Sequence, residues 1–520
     1  MKKIIYLYLL LFCFGAQAQG PAYNVSTQVN TENGILQGAV EESGVRSFKG
    51  IPYAQPPVGP LRWKAPQKAK DWKGIKQADK FAWRAMQRTM YSDMVFRSPG
   101  VSEDCLYLNV WTPAKKANEK LPVLVYIHGG ALLAGDGSEY RYDGGSMAQK
   151  GIVTVTLNYR LGVFGFFSHP ELTAESPVHA SGNYGLLDQH MALVWVKNNI
   201  AAFGGDPNQV TIAGESAGSM SVCAQMASPL SKDLFKGAIA ESGSWLGNAS
   251  PSPLAEGERE GVKFATRIKA GSLANLRELP ADSLLKWSEG QRLPTVVDGQ
   301  FITDYPQNIF ATGRQMDIPL LAGWNSAEVN YKSFLGNAAP TVENYNQALQ
   351  KAYGNRAEEV AKLYPAATGA DVMQTATDLA SDRFIAYATW KLIDIHSKTN
   401  GYPVYRYLFT RQRPALIGQP ADKAEKLFGA VHASEIDYAT GNLPNNKFYN
   451  WTPDDYQTSK IMQAYFVNFI KTGNPNGDGL ATWYGMQSSI PKVMTIDEKA
   501  HAEPEKNLKR YVLLDTFFNP

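Results

Sequence analysis

The chain alternates short apolar runs with longer segments in which apolar residues recur every three or four positions. The short runs are rich in β-branched residues, which is typical of strands buried on both faces. They are Pro122–Ile127, Ile152–Leu157, Gln209–Ala213, Gly237–Glu241, Ile318–Gly323 and Val404–Phe409. Helical spacing is clearest in Met191–Phe203 and Asp454–Lys471. The alternation predicts an α/β fold with a large, mostly parallel central sheet flanked by helices.

Three other segments predict additions to this core. Gln28–Ile51 alternates strand and turn signals and is interpreted as an antiparallel hairpin at the sheet edge. The prolines of Pro52–Pro60 predict an extended loop. Thr341–Asn400 is helical in character, more charged, and too long for a simple crossover. We therefore predict a single domain over residues 19–520 with a helical cap inserted at about 341–400.

One short run, Gly214–Gly218, reads Gly-Glu-Ser-Ala-Gly between a predicted strand and a predicted helix. In a Gly-x-Ser-x-Gly turn of this kind, small flanking residues allow a sharp bend that exposes the serine above the sheet. No other serine in the chain has glycine both two positions before and two positions after it. Ser216 is therefore the predicted nucleophile. The alternative is an ordinary glycine-rich turn with a solvated serine.

A serine hydroxyl is a poor nucleophile at neutral pH and needs a nearby base that is oriented by an acid. In this arrangement the acid and then the histidine follow the serine along the chain. His396 falls in the helical stretch and His501 in a charged stretch, whereas His432 lies on a predicted loop after Val404–Phe409. We predict that His432 is the base, with a structural or solvated histidine as the alternative.

The acid is expected directly after a strand, because such groups gather at the carboxyl ends of strands in doubly wound sheets. Glu328 meets this expectation, since it lies just beyond Ile318–Gly323. Asp298 and Asp304 are competitors on loops, and Asp317 precedes the strand instead of following it. We predict that Glu328 is the acid. A plain surface carboxylate is the alternative.

Acyl transfer by a serine also needs backbone N–H groups that stabilise an oxyanion. The run His128–Ala131 follows a predicted strand and contains Gly129 and Gly130. We predict the N–H groups of Gly130 and Ala131 as donors, together with that of Ala217 at the start of the helix after the nucleophile. The positive end of that helix favours the developing negative charge. A simple glycine turn is the alternative.

Composition describes a globular protein and excludes some partners. Met1–Ala18 resembles a secretory signal, with Lys2 and Lys3 before an apolar stretch. Without it the chain has 49 basic and 48 acidic residues, a balance that does not support nucleic acid as a partner. No later stretch is apolar enough to span a membrane. Cys105 and Cys223 are expected to be two buried thiols, with a single disulfide between them as the alternative.

With these residues in view, the chain resembles type-B carboxylesterases of the α/β-hydrolase fold, from about Gln28 to the C-terminus. The resemblance includes several ordered blocks besides Gly214–Gly218. They are Phe48–Ala54, Pro56–Gly59, Ser102–Asn109, Asn158–Arg160 with Gly162 and Gly165, Gly182–Gln189 and Phe203–Pro207. It implies Ser216, Glu328 and His432 as the triad. It implies supporting roles for Gly129, Glu215 and Ser242, with Ser242 either bonded to the triad acid or a plain buried serine.

The chain departs from this family at a few positions. Ala131 stands where the family has a third glycine, and Leu132 where it has an aromatic residue. Met86 stands where the family usually has a cysteine paired with the one that matches Cys105. That disulfide is therefore expected to be absent, and the segment from Met86 to Cys105 to be more mobile.

Together these features predict a secreted or periplasmic serine esterase that cleaves small-molecule carboxylic esters through an acyl-enzyme. No metal or organic cofactor is expected, and neither nucleic acid nor a membrane span. A catalytically silent adhesion or binding protein is the rival from another class, since this fold also hosts such members. An amidase that uses the same triad is a closer alternative.

Overall fold

The computed structural model describes residues 26–419, 427–488 and 492–518. The predicted signal Met1–Ala18 lies outside the described residues. In the part that is described, no helix combines the length and the apolar composition needed to cross a membrane.

The strands vary from two to eleven residues in length. They are β1 Gln28–Thr31, β2 Gly34–Gln37, β3 Ala39–Val40, β4 Arg46–Pro52, β5 Ile75–Gln77, β6 Arg84–Ala85, β7 Val101–Ser102, β8 Tyr107–Thr112, β9 Leu121–Ile127, β10 Val153–Leu157, β11 Gly205–Glu215, β12 Gly237–Glu241, β13 Ser252–Pro253, β14 Val296–Val297, β15 Leu320–Asn325, β16 Val404–Phe409, β17 Lys492–Ile496 and β18 His501–Pro504.

The longest helix among the described residues has 20 residues. The helices are α1 Gly145–Ala148, α2 Gly162–Gly165, α3 Pro170–Glu175, α4 Tyr184–Asn199, α5 Ala217–Ala227, α6 Leu254–Arg267, α7 Leu273–Glu278, α8 Ala281–Trp287, α9 Pro306–Ala311, α10 Lys332–Leu335, α11 Val342–Tyr353, α12 Ala357–Leu363, α13 Gly369–Ser381, α14 Tyr387–Thr399, α15 Ile436–Thr440, α16 Pro453–Thr472 and α17 Leu508–Phe518.

Within the described residues, eleven strands form the central sheet in the order β18-β17-β16-β15-β12-β11-β9-β10-β8-β4-β3. The middle of the sheet, from β10 to β17, is parallel, and both edges are antiparallel. All five residues of β10 and of β12 are buried, because helices cover both faces of a parallel sheet. The predicted α/β fold with a mostly parallel sheet is confirmed.

The predicted N-terminal hairpin, Gln28–Ile51, is divided between two sheets. Strands β1 and β2 pair in an antiparallel fashion and form a separate three-stranded sheet with β5. Strands β3 and β4 form a second antiparallel pair, which is the edge of the central sheet. The sequence does not indicate this division, because β5, the partner of β2, lies almost forty residues beyond it in the chain.

The helical stretch Thr341–Asn400 consists of two parts that pack differently. Helices α11 to α13 surround a small core of their own that includes Tyr345, Val360 and Leu379. Helix α14 packs against β15 and β16, and its Leu392 and Ile393 belong to the main core. The stretch was predicted as a cap, but its last helix belongs to the layer that flanks the sheet. Apolar spacing predicts a helix without showing which surface it covers.

Candidate active site

Ser216 lies at the junction of β11 and α5. Its backbone has φ 56° and ψ −120°. Such a conformation costs a non-glycine residue about 1–3 kcal/mol. The Ser216 N–H donates to the carbonyl of Glu241 on the neighbouring strand β12 (2.9 Å). A Cβ added at Gly218 would lie 2.1 Å from the carbonyl oxygen of Ile127, so only glycine fits there. The turn therefore has the strand-before, helix-after context that its sequence indicated.

The three predicted side chains form one hydrogen-bonded chain. His432 Nε2 is 2.9 Å from Ser216 Oγ, and His432 Nδ1 is 2.6 Å from Glu328 Oε2. Glu328 follows β15, and His432 lies on the loop between β16 and α15. Strand β15 is paired with both β12 and β16, so their carboxyl ends meet beside the turn at Ser216. With its proton on Nδ1 toward Glu328, the imidazole presents an unprotonated Nε2 to the serine hydroxyl.

The second oxygen of Glu328 is held by two donors. Its Oε1 accepts hydrogen bonds from Ser242 Oγ (2.6 Å) and from the Asn325 N–H (2.7 Å). The resemblance left Ser242 as either a partner of the acid or a plain buried serine, and here it is a partner. All three residues are buried. Because Oε1 accepts these two hydrogen bonds while Oε2 faces His432, the carboxylate has a fixed orientation against the imidazole.

Two residues behind Glu328 have no counterpart among the predicted site residues. The Asn325 Nδ2 donates to Glu435 Oε2 (2.6 Å), and Glu435 Oε1 is 3.3 Å from Ser242 Oγ. Burial raises the pKa of Glu435 to about 7, with a further contribution from Glu328. In the sequence, Asn325 is only a polar residue at the end of an apolar strand, and Glu435 is only an acid three positions after His432. Neither signal indicates that the two residues meet.

Glu215, which precedes the nucleophile, is close to the same imidazole nitrogen as the serine. Its Oε1 is 3.2 Å from His432 Nε2. Burial raises the pKa of Glu215 to about 8, against the attraction of His432. Burial also lowers the pKa of His432, but Glu215 and Glu328 outweigh it and raise that pKa above the ordinary value. The surroundings therefore favour the imidazolium that would form when His432 takes a proton.

The oxyanion loop, residues 128–135, begins with the predicted run His128–Ala131, follows β9 and lies against the turn at Ser216. Gly129 packs against Glu215 and Ser216. Ala131 and Leu132 have φ values of 57° and 59°. In the described parts of the chain, the N–H groups of Gly130, Ala131 and Ala217 have no protein acceptor. These three predicted donors are therefore free to bind another group.

Apolar side chains lie around the oxyanion loop and beside His432. Leu132 packs against a buried cluster that contains Trp245 and Phe301, and the neighbouring Leu133 is exposed. On the other side, the ring of Phe384 lies 5.2 Å from that of His432, nearly perpendicular to it. Phe384 was not predicted, because it lies in the helical stretch where spacing alone does not distinguish core from lining.

The competing acids and histidines have other contacts. Each is satisfied by neighbours away from Ser216 or is exposed. Asp298 accepts three backbone N–H groups from residues 300–302, Asp304 pairs with Arg314, Asp317 accepts the Gly401 N–H, His396 is buried against the Ile318 carbonyl, and His501 is exposed on β18. The geometry therefore favours Glu328 and His432 over them.

Cys105 and Cys223 are free and buried, as predicted. The cysteine that would match Met86 in the family is absent, so Cys105 has no covalent partner. Within residues 26–419, 427–488 and 492–518, no cluster of three or more histidine, cysteine, aspartate or glutamate residues could hold a metal ion.

Comparison with known proteins covers nearly the whole chain. Residues 25–512 match the model of the carboxylesterase family. The chain is 34% identical to fumonisin B1 esterase of Sphingopyxis macrogoltabida over 87% of this chain and 83% of that protein. It is also 34% identical to para-nitrobenzyl esterase of Bacillus subtilis (91% and 96%) and 33% identical to human cocaine esterase (91% and 88%).

Solved structures agree with this result. A PNB esterase aligns with a TM-score of 0.79 and 31% identity, over 95% of this chain and 100% of that one. A thermophilic PNB esterase aligns with the same TM-score and 32% identity, over 94% and 100%. The fold is that of an α/β-hydrolase, and the protein is a carboxylic ester hydrolase. The chain belongs to the carboxylesterase family.

Proposed function

We propose that Ser216, His432 and Glu328 are the catalytic triad of this esterase and that the reaction passes through an acyl-enzyme. The single observation that supports this most is the continuous chain of hydrogen bonds from Glu328 through His432 to Ser216. The nucleophile, the base and the orienting acid are then within bonding distance of each other, as nucleophilic catalysis by serine requires.

In this mechanism Ser216 Oγ attacks the ester carbonyl while His432 Nε2 takes its proton. The N–H groups of Gly130, Ala131 and Ala217 bind the oxyanion of the tetrahedral intermediate. The imidazolium then gives its proton to the leaving alcohol. In the second half, His432 takes a proton from water and the hydroxide attacks the acyl-enzyme. The bond to Ser216 Oγ then breaks, the imidazolium returns the proton to that oxygen, and the carboxylic acid is released.

The substrate proposed here is a small-molecule ester with an apolar acyl or alcohol group. Leu133, in the oxyanion loop, is 43% exposed, and Phe384, against the His432 ring, is 44% exposed. Exposed apolar surface in a binding cleft is stabilised when a ligand covers it. The relatives are named for different esters, so the acyl and alcohol groups that fit this chain are a property of its own lining residues.

The decisive experiment compares Ser216→Ala with wild type on short p-nitrophenyl esters. Loss of a triad serine removes about a millionfold in kcat in the best-studied hydrolase, so turnover is expected to fall to background. A serine-directed organophosphate should add one label to wild type, at Ser216, and none to the variant. Ser250→Ala, at an exposed serine, is the control and should keep full activity and labelling. Retained turnover in Ser216→Ala would refute the assignment.

The same experiment addresses the alternatives from the sequence. A catalytically silent binding protein would show neither turnover nor labelling in wild type. An amidase would turn over a p-nitroanilide with the same acyl group clearly above background, although more slowly than the activated ester, because phenolate needs no protonation to leave, whereas an amine does. We expect the ester to be cleaved and the anilide to stay at background.

We further propose that Met1–Ala18 directs the protein out of the cytoplasm and is removed. The support is the sequence pattern of a positive end, an apolar stretch and small residues at positions 16 and 18. N-terminal sequencing of the exported protein should begin at Gln19. A mature protein that still begins at Met1 would contradict this proposal.

A further inference from the structure

The side chain of Gln87 joins the segment after Met86 to the oxyanion loop. The Gly135 N–H donates to Gln87 Oε1 (2.9 Å), and Gln87 Nε2 donates to the Gly135 carbonyl (2.8 Å). The same nitrogen donates to the Ala85 carbonyl (3.1 Å). Gln87 is only 6% exposed. A buried primary amide therefore makes a two-way pair with the backbone of the residue that closes the loop.

The loop that receives this pair has an unfavourable backbone. Ala131 and Leu132 are consecutive non-glycine residues in the left-handed region. Each costs about 1–2 kcal/mol relative to a right-handed conformation. A loop of this kind keeps its shape only when its surroundings determine it. Any contact that closes the loop therefore influences where the Gly130 and Ala131 N–H groups point.

The other hydrogen bonds of the loop hold residues that come before Gly135, including one from the Tyr159 hydroxyl to the His128 carbonyl. The Gly130 carbonyl accepts the N–H groups of Leu133 (3.0 Å) and Ala134 (2.9 Å), and the Leu132 carbonyl accepts the Gly162 N–H (2.8 Å). These bonds tighten the turn. They do not fix its C-terminal end, where Gly135 has φ +123°. Gln87 supplies the bonds at that end.

Close packing transmits the position of Gly135 to the rest of the loop. A Cβ added at Gly135 would lie 2.1 Å from His128 Nδ1 and 2.6 Å from the Gly129 carbonyl oxygen. A Cβ at Gly130 would lie 2.2 Å from the Ala134 carbonyl oxygen. The two ends of the loop are thus in contact, and a shift at Gly135 must move Gly129 and Gly130.

We propose that Gln87 is a positioning residue for the oxyanion hole, which it sets by fixing Gly135 at the end of the loop. The inference rests on the proposed function, in which Gly130 and Ala131 donate to the oxyanion. The proposed role explains how a loop with alanine in place of the third glycine keeps its geometry. It also links the segment after Met86 to the site in a chain that lacks the disulfide usual in the family at this position.

The test uses Gln87→Met, which keeps the buried volume and removes both bonds to Gly135. Active sites are counted by stoichiometric phosphonylation, and kcat and KM are measured per labelled site on a p-nitrophenyl ester. We expect kcat to fall about 10- to 100-fold with KM nearly unchanged, because a donor displaced by a fraction of an ångström stabilises the transition state less. The affinity for an aryl boronic acid, which forms a tetrahedral adduct on serine, should fall by the same factor.

Arg88→Ala is the matched control. Arg88 adjoins Gln87, but its guanidinium bonds to the Lys286 carbonyl and pairs with Glu289, away from the oxyanion loop. Its removal should lower thermal stability at most, and leave kcat per site and boronate affinity within about twofold of wild type. A purely structural role for Gln87 would give that same pattern in Gln87→Met and would overturn the inference.

If Gln87→Met does not fold, Gln87→Glu decides. Measured at a pH where its carboxylate is ionised, it keeps the acceptor for the Gly135 N–H and loses the donor to the Gly135 carbonyl. A fall in kcat of more than twofold with a parallel fall in boronate affinity supports the inference. A kcat and a boronate affinity within twofold of wild type overturn it. Wild type serves as the check on the proposed function itself. If wild type is active and labelled at Ser216 while Gln87 variants match it, only the inference about Gln87 fails.

Discussion

The two halves of this site are held in position by different means. On the sheet side, Ser216, Glu328 and His432 follow strands β11, β15 and β16, whose pairing brings their carboxyl ends together. On the loop side, residues 128–135 are shaped by side-chain and backbone bonds from segments far away in the chain, Gln87 among them. Both sides contain non-glycine residues at positive φ.

The difference shows two ways to keep an unfavourable backbone. At Ser216 the sheet determines the turn, because the strand before it and the helix after it are both packed in the main core. Ala131 is exposed and Leu132 is partly buried, and the turn there is determined by hydrogen bonds within the loop, by the bond from Gly162 and by the Gly135 contact. Substitutions that disturb the backbone on the sheet side should therefore affect folding and chemistry strongly, and those at the loop surface more weakly.

The largest effect is expected for Gly218→Ala, which breaks the contact between the two sides. The new methyl group would overlap the Ile127 carbonyl at the end of β9, just before the oxyanion loop. We expect a loss of about 3 kcal/mol in the free energy of unfolding and nearly all activity. Chemical denaturation and kcat per labelled site measure both. A variant as stable and active as wild type would show that the turn is not held by this close approach.

The next largest effect is expected for Glu328→Gln on the sheet side. The amide can still accept from Ser242 and Asn325, but it no longer stabilises the imidazolium and can favour the wrong tautomer. We expect kcat to fall about 100- to 10,000-fold with little change in stability. Thermal unfolding is the control for folding. A loss below tenfold would assign the acid to another residue.

Glu215→Gln tests the charge on the sheet side through pH. The Glu215 carboxylate helps to raise the pKa of His432, so its removal should lower that pKa. Because His432 must be neutral to take the serine proton, kcat/KM rises as the pH passes its pKa. The acidic limb of the profile should therefore move to lower pH in the variant. Glu358→Gln, an exposed glutamate on α12, should leave the limb unchanged. A shift to higher pH would contradict the assignment.

The smallest effect is expected for Ala131→Gly on the loop side. Glycine adopts φ 57° without the steric cost of alanine, so the folded loop should gain up to about 1 kcal/mol, reduced by the added freedom of the unfolded chain. Ala134→Gly, in the same loop without a positive φ, should be destabilising instead. Activity should stay within a few-fold of wild type. A denaturation midpoint above wild type for Ala131→Gly and below wild type for Ala134→Gly would support the comparison. An equal fall of the midpoint in both variants would contradict it.

Much of the sheet side could be predicted because its signals are local. The Gly214–Gly218 turn lies between a strand and a helix that the apolar pattern already indicates. His432 and Glu328 followed from chain order and from their positions after apolar strands. The boundaries were less accurate, since helix α4 begins at Tyr184, several residues before the predicted start at Met191. Polar residues in the first turns of that helix conceal its apolar spacing.

The sequence by itself determined the fold class, the strand-turn-helix around Ser216 and the chain order of the site, because these depend on neighbouring residues and on buried apolar runs. Only the tertiary structure decided which side chains support them. Glu435 meets Asn325, Phe384 meets His432, and Gln87 meets Gly135 because separate strands and loops are folded together. Hydrogen-bond partners that lie far apart in the chain leave no periodic pattern in it, so geometry alone reveals them.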